Sequence, residues 1–367
     1  MKAWVLESFN TPYKLRSDVP VPKPDGPYDV LIKVDAAGYC HTDAVLAAGQ
    51  FPLPPKLPMV GSHEIAGTVV EADPSTGLKP GDRVGSPGRN FHPCGECDEC
   101  RKGPGPDGTG DPVGYSNYCP VGKSNGIARD GGFQEYLVVD ARQVAKFPEQ
   151  LTAVEVAPLM CAGITIYEAL KKCRLQPGQR VAIMGCGGGL GHLGLQFATK
   201  MGLKVIGVDA SDGPLAIASS LDTGAEIVDA RVTPAMDIVK RLGQEDGKKY
   251  RGEMGVDAAI ILPENQRAFQ YGVDLLRNHG TCLVVSFPEK GFHFAASDVI
   301  FRDIRIIGTQ LGTSRRVKEM LDFVVEHGVK TLKKVYEFDR LDELVEEYER
   351  GGGGKLVLDL SASSVSK

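Results

Sequence analysis

A glycine-rich turn between two apolar strands limits the fold of this chain more than any other feature. In residues 180–211, "RVAIMGCGGGLGHLGLQFATKMGLKVIGVDAS", an apolar strand runs into closely spaced glycines, a helix follows, and a second apolar strand ends at Asp209. Further apolar strand candidates, "VDAAIILP" and "TCLVVSF", alternate with helical segments downstream. This alternation predicts an α/β fold in which helices cover both faces of a parallel sheet.

The turn itself has the composition of a dinucleotide-binding loop. Glycine permits a tight turn and lets a pyrophosphate approach the N–H groups that begin the next helix. Asp209 is placed to accept hydrogen bonds from the adenosine ribose and to repel a 2′-phosphate, which favours NAD over NADP. Leu190 stands where the usual pattern has its third glycine, so a plain strand-to-helix turn is the alternative interpretation. The predicted loop residues are Gly185, Gly187, Gly188, Gly189, Leu190 and Gly191.

The pattern of apolar residues before about residue 150 is different. Short apolar runs such as "DVLIKVDAAGYC", "EIAGTVVEAD" and "FQEYLVVDA" are separated by turns rich in proline and glycine. This pattern is typical of an irregular β domain, and it predicts a β-rich domain next to the α/β one.

Composition limits the partners and the compartment. The formal net charge of -5, with both signs interspersed, provides no basic face for nucleic acid, and we expect no membrane-spanning run. The N-terminal "MKAWVLESFNTPYKL" lacks the apolar stretch of a secretory signal. We therefore expect the nine cysteines to lie in a reducing cytoplasm, where grouped thiols indicate a metal before a disulfide.

Four of these cysteines are close together in the sequence. They are Cys94, Cys97, Cys100 and Cys119, in "CGECDEC" and beyond a loop rich in glycine and proline. Four thiolates can close the coordination sphere of a structural zinc. An iron–sulfur cluster is the alternative, but there a Cys-Pro pair follows the C-x₂-C-x₂-C run within a few residues, whereas Cys119-Pro120 lies far downstream.

A second set of metal-binding residue types is spread along the chain. Cys40 occurs in "GYCHTDAV", His63 in "VGSHEIAG" and Cys161 in "PLMCAG". Two thiolates and one imidazole make a zinc site with an open fourth position, which is the arrangement of a catalytic zinc. Their separation in sequence leaves their proximity undetermined.

Several motifs taken together resemble one family. "CHTD", "LPMVGSHEIAGTVVEA", the "CGECDEC" cluster, "MCAGITIYEALK" and the glycine-rich turn are similar, in the same order, to the zinc-dependent alcohol dehydrogenases of the medium-chain dehydrogenase/reductase superfamily. The resemblance implies a GroES-like catalytic domain over residues 1–162, completed by 301–367, and a Rossmann NAD-binding domain over 163–300. It also implies two zinc ions and one NAD per chain, and a homo-oligomer, with a tetramer favoured over a dimer.

The resemblance assigns a role to individual residues. Cys40, His63 and Cys161 match the catalytic zinc ligands, and the four clustered cysteines match the structural zinc ligands. The remaining matches are Asp43 as the carboxylate that orients His63, Glu64 as the acidic residue beside the metal, Thr42 as the hydroxyl that takes the substrate proton, His41 as the basic residue near the pyrophosphate, and Lys355 in place of an arginine near the cofactor phosphates.

The function implied is hydride transfer between a primary or secondary alcohol and NAD, with an aldehyde or ketone as the product. A zinc-independent C=C reductase of the same superfamily and a non-catalytic NAD-responsive protein are the alternatives. Ala47 stands where small-alcohol members carry a tryptophan, and Asn90 or Phe91 where relatives present a large aromatic. These positions predict a pocket for alcohols larger than ethanol unless another side chain, such as Phe51, refills it. The relay histidine of the family is replaced by Val45, and the loop between Cys100 and Cys119 is longer than usual.

Overall fold

The predicted strands and helices are distributed between two units of the chain. The computed structural model describes residues 1–105 and 110–361. The first unit consists of Met1–Ile164, Thr313–Gly351 and the chain from residue 355 onward, and the second consists of Thr165–Gly312 and Gly352–Gly354.

The first unit is rich in β structure, as the proline- and glycine-punctuated sequence predicts. Its main sheet has the strand order β10-β6-β5-β3-β18-β17, with β9 pairing with β3, and smaller sheets have the orders β2-β1-β4 and β7-β8. Numbered through the whole chain, these strands are β1 (Ala3–Leu6), β2 (Lys14–Arg16), β3 (Asp29–Tyr39), β4 (Met59–Val60), β5 (Glu64–Ala72), β6 (Arg83–Pro87), β7 (Asn90–Phe91), β8 (Lys123–Ser124), β9 (Tyr136–Asp140), β10 (Ala145–Lys146), β17 (Lys333–Glu337) and β18 (Lys355–Asp359).

The helices of the first unit are short at its N-terminal side and longer near its C-terminal side. They are α1 (His41–Ala47), α2 (Asp98–Arg101), α3 (Ala153–Pro158), α10 (Ser314–His327) and α11 (Leu341–Glu349). The core lies against β3, whose apolar side chains are buried on both faces of the sheet, and it includes Ile32, Phe133 and Leu137. The buried end of β3 at Tyr39 leads directly into α1, so the sheet fixes the start of that helix.

The second unit has the parallel sheet that the alternating pattern predicts. Its strands follow the order β13-β12-β11-β14-β15-β16 and all pair in parallel. This order reverses direction beside β11, which is the arrangement of a dinucleotide-binding sheet. The strands are β11 (Arg180–Met184), β12 (Lys204–Asp209), β13 (Glu226–Asp229), β14 (Val256–Ile261), β15 (Leu276–Val284) and β16 (Arg305–Gly308), and the helices are α4 (Ile164–Lys172), α5 (Gly191–Lys200), α6 (Asp212–Ser220), α7 (Ala235–Glu245), α8 (Gln266–Leu275) and α9 (Ala296–Arg302).

One boundary differs from the sequence-based expectation. Residues from 301 onward were expected to complete the catalytic domain, but β16 pairs with β15 as the edge strand of the parallel sheet. The chain returns to the first unit only at Thr313. Short edge strands such as Arg305–Gly308 carry too little apolar periodicity to be assigned from sequence.

One helical stretch is longer and more apolar than we expect from the sequence. Ala153–Lys172 has the length and hydropathy of a membrane-crossing helix, although we expected no such run. An 18-residue apolar stretch of this helix is 78% buried inside the protein, which is typical of a core helix. A proline and a π-helical turn, Leu159–Gly163, interrupt it.

Candidate active site and metal centres

Cys40, His63, Glu64 and Cys161 converge in the first unit. One ligand atom from each of these four side chains lies within 4.8 Å of the others. Cys40 follows β3, His63 and Glu64 stand at the start of β5, and β3 and β5 are antiparallel neighbours in the main sheet. Sheet pairing therefore brings together residues that are more than twenty positions apart in the sequence.

The start of α1 holds one side of this cluster. Cys40 is the N-cap of the helix, and Asp43 completes a capping box because its Oδ2 accepts a hydrogen bond of 2.9 Å from the N–H of Cys40. The other carboxylate oxygen, Oδ1, accepts from the N–H of Ser62 at 3.1 Å and lies 3.4 Å from Nδ1 of His63. Asp43 is fully buried, and its carboxylate lies beside the imidazole of His63.

Cys161 lies at an irregular turn of a helix. Pro158 occurs inside the helix and cannot donate a backbone hydrogen bond, and the wider π-helical turn Leu159–Gly163 follows it. Turns of this type occur often at functional sites because they displace one residue from the regular helical spiral. Cys161 is the middle residue of this turn.

The electrostatics of the cluster suit a cation. The hydrogen bond with Cys161 lowers the pKa of Cys40 well below its usual range, and Lys355 and His63 act in the same direction against burial. The same hydrogen bond, with burial, raises the pKa of Cys161. The two thiols lie next to each other, and a metal bound here would hold both as thiolates, so metal binding should release protons.

Glu64 and Lys355 form a buried ion pair beside the cluster. Nζ of Lys355 lies 2.6 Å from Oε1 of Glu64 and also donates to the carbonyl of Tyr39 at 3.2 Å. Burial raises the pKa of Glu64 to about 8, and the neighbouring ammonium group of Lys355 opposes this rise. Lys355 was expected near the cofactor phosphates, but it is 5% exposed and its ammonium group is directed to Glu64.

The donor set fits a metal ion. Oε2 of Glu64 is a buried oxygen without a hydrogen-bond partner in the described part of the chain. Such an atom is costly unless a further partner is present, and a cation among two thiols and an imidazole would be that partner. Thr42 follows at the start of α1, with its Oγ1 3.9 Å from Sγ of Cys40.

The second cysteine cluster lies in a separate lobe of the first unit. One sulfur from each of Cys94, Cys97, Cys100 and Cys119 lies within 4.8 Å of the others. Backbone N–H groups point at three of these sulfurs: Cys97 donates to Cys94 at 3.3 Å, Cys100 donates to Cys97 at 3.4 Å, and Cys94 donates to Cys119 at 3.2 Å. N–H groups aimed at sulfur favour thiolates, and contacts with the N–H groups of Glu96 and Cys97 lower the pKa of Cys94 to about 7. Four sulfurs in this arrangement leave no position for a substrate.

The residues around this lobe have structural roles that the sequence did not reveal. Asn90 is buried, and its amide donates to the carbonyls of Asn117 and Cys119 at 2.9 and 3.1 Å, so it anchors the lobe. The ring of Phe91 lies under the guanidinium group of Arg129. In the long loop, residues 106–109 lie outside the described residues.

An aspartate of the long loop ties the lobe to the rest of the first unit. Oδ2 of Asp111 accepts from Nη2 of Arg89 at 2.7 Å, and Oδ1 accepts from the N–H of Ser314 at 2.9 Å. Arg89 is buried and also donates to Gln143. No signal in the sequence pairs Asp111 with residues so distant along the chain.

The glycine-rich turn of the second unit has the geometry of a dinucleotide loop. Gly185 has a φ of 75°, which side-chain-bearing residues rarely adopt. A Cβ atom at Gly187 would lie 1.8 Å from the carbonyl oxygen of Pro214. Asp209 ends β12, and its Oδ2 accepts from the N–H of Gly187 at 3.1 Å. The carboxylate therefore lies beside the loop, where the ribose of a dinucleotide would bind, and the residues fit this cofactor.

The remaining cysteines are buried and unpaired with one another by disulfides. Cys173, Cys186 and Cys282 are at most 4% exposed, and burial raises the pKa of each thiol to about 12. They behave as small apolar core residues.

Comparison with known proteins gives the family. Residues 26–149 match the family model described as alcohol dehydrogenase GroES-like domain, and residues 189–326 match the one described as zinc-binding dehydrogenase. An alcohol dehydrogenase of Geobacillus stearothermophilus is 36% identical over 362 residues, which cover 98% of this chain and 99% of the relative.

Solved structures of related enzymes have the same fold as this chain. The alcohol dehydrogenase of Aeropyrum pernix has a TM-score of 0.82 at 31% identity and covers 98% of this chain and 100% of its own. An acetophenone reductase of Geotrichum candidum, solved in complex with NAD, has a TM-score of 0.79 at 29% identity and covers 98% of this chain and 96% of its own. The fold and the domain matches define an oxidoreductase of the medium-chain dehydrogenase/reductase superfamily. Within it, the chain belongs to the zinc-binding alcohol dehydrogenase family. The family resemblance and the predicted α/β fold with GroES-like and Rossmann parts are both confirmed.

Proposed function

We propose that this protein is an NAD-dependent alcohol dehydrogenase with a catalytic zinc at Cys40, His63 and Cys161 and a structural zinc at Cys94, Cys97, Cys100 and Cys119. Membership of the family supports oxidoreduction of an alcohol and its aldehyde or ketone. The observation that carries the more specific proposal is the cluster in which a carboxylate oxygen of Glu64, two thiols and one imidazole lie within 4.8 Å of one another. When bound, zinc would act as a Lewis acid on the alcohol oxygen and NAD⁺ would accept the hydride.

The side chains of this chain supply positioning and proton transfer. The carboxylate of Asp43 orients the imidazole of His63, with Oδ1 3.4 Å from Nδ1. Thr42, next to the cluster, takes the hydroxyl proton of the alcohol, since its Oγ1 can accept one proton while donating its own outward. Glu64, bound to Lys355 through Oε1, places its carboxyl group beside the two thiols.

The second unit supplies cofactor recognition. Asp209 accepts hydrogen bonds from the adenosine ribose, and the loop of Gly185, Gly187, Gly188, Gly189, Leu190 and Gly191 approaches the pyrophosphate. The family resemblance gives His41 the role of the basic residue near the pyrophosphate, and we propose that role for it here.

The proposal is tested by measuring NAD⁺ reduction over a panel of primary and secondary alcohols, together with the metal content of the protein. We expect turnover of at least one alcohol class and two zinc ions per chain. One zinc per chain, or iron in place of zinc, would overturn the metal assignment. NAD binding without any alcohol oxidation would instead support a non-catalytic role.

We also propose a cytoplasmic location and a homo-oligomeric assembly. Nine free thiols fit the reducing cytoplasm. A homo-oligomer, with a tetramer favoured over a dimer, is expected by analogy with the family, and light scattering of the purified protein measures it directly.

Replacing one ligand of the structural cluster should affect stability before activity. In Cys97→Ala we expect the zinc content to fall from two to one per chain and the midpoint of thermal unfolding to fall by about 5 °C or more, because a closed site contributes its binding energy to folding. The kcat at low temperature should stay within about threefold of the original, since this metal touches no substrate. Thermal unfolding and steady-state rates of both proteins measure the two effects. A 1,000-fold loss of kcat in a folded Cys97→Ala protein would contradict the assignment.

The pocket should accept alcohols larger than ethanol. Ala47 is the last residue of α1, and a methyl group there leaves room that an indole would fill. We expect kcat/KM to rise from ethanol to hexanol and benzyl alcohol, with roughly 0.8 kcal/mol gained per buried methylene. In Ala47→Trp the profile should shift toward ethanol. A clear preference of the original protein for ethanol would indicate that a side chain such as Phe51 refills the space.

A further inference from the structure

Asp111, in the long loop of the lobe, binds two other parts of the first unit at once. The loop follows Cys100 and is tied to it by a hydrogen bond of 3.0 Å from the N–H of Gly114 to the carbonyl of Cys100. Oδ2 of Asp111 lies 2.7 Å from Nη2 of Arg89, and the two side chains are 13% and 1% exposed. Oδ1 accepts from the N–H of Ser314 at 2.9 Å. Two donors on a largely buried carboxylate hold it in one orientation.

The bond to Arg89 leads to the backbone beside His63. Arg89 is buried, and its guanidinium group also donates to Gln143 and to the carbonyl of Tyr115, at 2.7 and 2.9 Å. The preceding residue, Gly88, packs directly on His63, because a Cβ atom there would lie 2.8 Å from Cβ of the histidine. A displacement of Arg89 would therefore disturb the packing of a proposed metal ligand.

The bond to Ser314 holds the N-terminus of α10. Ser314 is the first residue of this helix, where the charge of a carboxylate is favourable because the N-terminus is the positive end of the helix dipole. Val317 and Met320 of α10 are fully buried, and the helix packs against the π-helical turn that contains Cys161. Packed elements transmit small displacements, so the position of α10 affects the position of that turn.

We propose that Asp111 is a positioning residue through which a metal in the lobe strengthens metal binding at Cys40, His63 and Cys161. A metal at the four lobe sulfurs fixes the loop that carries Asp111, and Asp111 fixes the elements that pack on His63 and beside Cys161. This inference rests on the proposed function, which places a zinc ion in each cluster. Because such coupling is reciprocal, a metal at the second cluster strengthens metal binding in the lobe by the same factor.

Two substitutions break this connection at different atoms. Asp111→Asn replaces one oxygen by an amide nitrogen, so that one of the two donors faces another donor. Ser314→Pro removes the N–H that Asp111 accepts. The backbone suits this change, because proline is favoured at the first position of a helix and Thr313 before it is extended, with a φ of -70° and a ψ of 162°. Asp98→Asn removes the same charge from an exposed residue of the lobe and is the matched control.

The affinity of the second cluster for Co²⁺ measures the effect. Protein that holds zinc in the lobe and is emptied at the other cluster by a chelator is titrated with Co²⁺, and the absorption of the cobalt–thiolate bonds reports binding. We expect the Kd for Co²⁺ to rise about 5- to 10-fold in Asp111→Asn and in Ser314→Pro, with the lobe zinc retained, and to stay unchanged in Asp98→Asn. A merely structural bond would lower the midpoint of thermal unfolding and leave this Kd unchanged.

Emptying the lobe tests whether its metal acts through Asp111. Cys97→Ala should also raise the Kd of the second cluster for Co²⁺, and adding Asp111→Asn should then produce no further change. An unchanged Kd in Asp111→Asn, an equal rise in Asp98→Asn, or full additivity of Asp111→Asn and Cys97→Ala would each overturn the inference. The variants at Asp111 and Ser314 keep all four lobe sulfurs, so they decide the outcome if Cys97→Ala fails to fold. Failure of the original protein to bind Co²⁺ outside the lobe would instead overturn the proposed function.

Discussion

Replacing Cys40 by alanine should lower kcat/KM for alcohol oxidation by at least ~1,000-fold, which corresponds to about 4 kcal/mol of transition-state stabilisation. Cys40 is one of the four residues whose ligand atoms meet in the buried cluster, and it is also the N-cap of α1. Its removal leaves one thiol and one imidazole, which hold a zinc ion poorly. Steady-state rates and zinc content measure the result, and we expect one zinc per chain.

The control for this change is a cysteine outside both clusters. Cys173→Ala removes a buried thiol in the second unit, and it should keep two zinc ions and a rate close to that of the original protein. The variant Cys40→Ala should retain the structural zinc, because the four sulfurs of that lobe form a separate cluster. A Cys40→Ala protein that still oxidises alcohols at more than a tenth of the original rate would contradict a catalytic role for this cluster.

The second large effect concerns the choice of cofactor. We expect kcat/KM with NAD⁺ to exceed that with NADP⁺ by at least ~100-fold, or about 2.7 kcal/mol, because the carboxylate of Asp209 repels a 2′-phosphate. Oδ1 of Asp209 accepts from the N–H of Ala210 at 2.8 Å and Oδ2 from that of Gly187, so the charge is fixed at the edge of the loop. In Asp209→Ser the ratio should fall below about tenfold, chiefly through a better KM for NADP⁺.

A matched substitution separates a local effect from a general change in charge. Asp237→Asn removes the same charge from an exposed site on α7 and should leave the cofactor ratio unchanged. Equal rates of the original protein with NAD⁺ and NADP⁺ would refute the role assigned to Asp209.

The sequence was most informative where local pattern and chemistry coincide. The apolar strands, the glycines and Asp209 lie within 32 consecutive residues, so the βαβ unit around the turn could be read from periodicity alone. The lobe cysteines were predicted for the same reason, because Cys94, Cys97 and Cys100 are only three positions apart. In both cases most of the interacting groups are neighbours along the chain, and Cys119, beyond the long loop, is the exception.

Contacts between distant parts of the chain could not be derived in this way. The spacing of Cys40, His63 and Cys161 in the sequence does not show that they are close in space, and only the family resemblance suggested it. In the structure, β3, β5 and the π-helical turn bring them together. The partners of Lys355 and His41 were not anticipated, since Glu64 is 291 positions from Lys355 and Tyr348 is 307 positions from His41. Such pairings depend on the register of β3 with β18 and on the packing of α11, which no short-range pattern records.

We propose that a zinc ion held by Cys40, His63 and Cys161 enables this protein to oxidise alcohols with NAD⁺. The decisive experiment follows NADH formation from an alcohol while zinc is added back to protein treated with a chelator under conditions that preserve the lobe cluster. We expect no NADH formation before zinc is added and a rate that rises in proportion to the zinc bound, reaching its maximum at one added ion per chain. Sustained NADH formation from an alcohol by the protein lacking that zinc would contradict it.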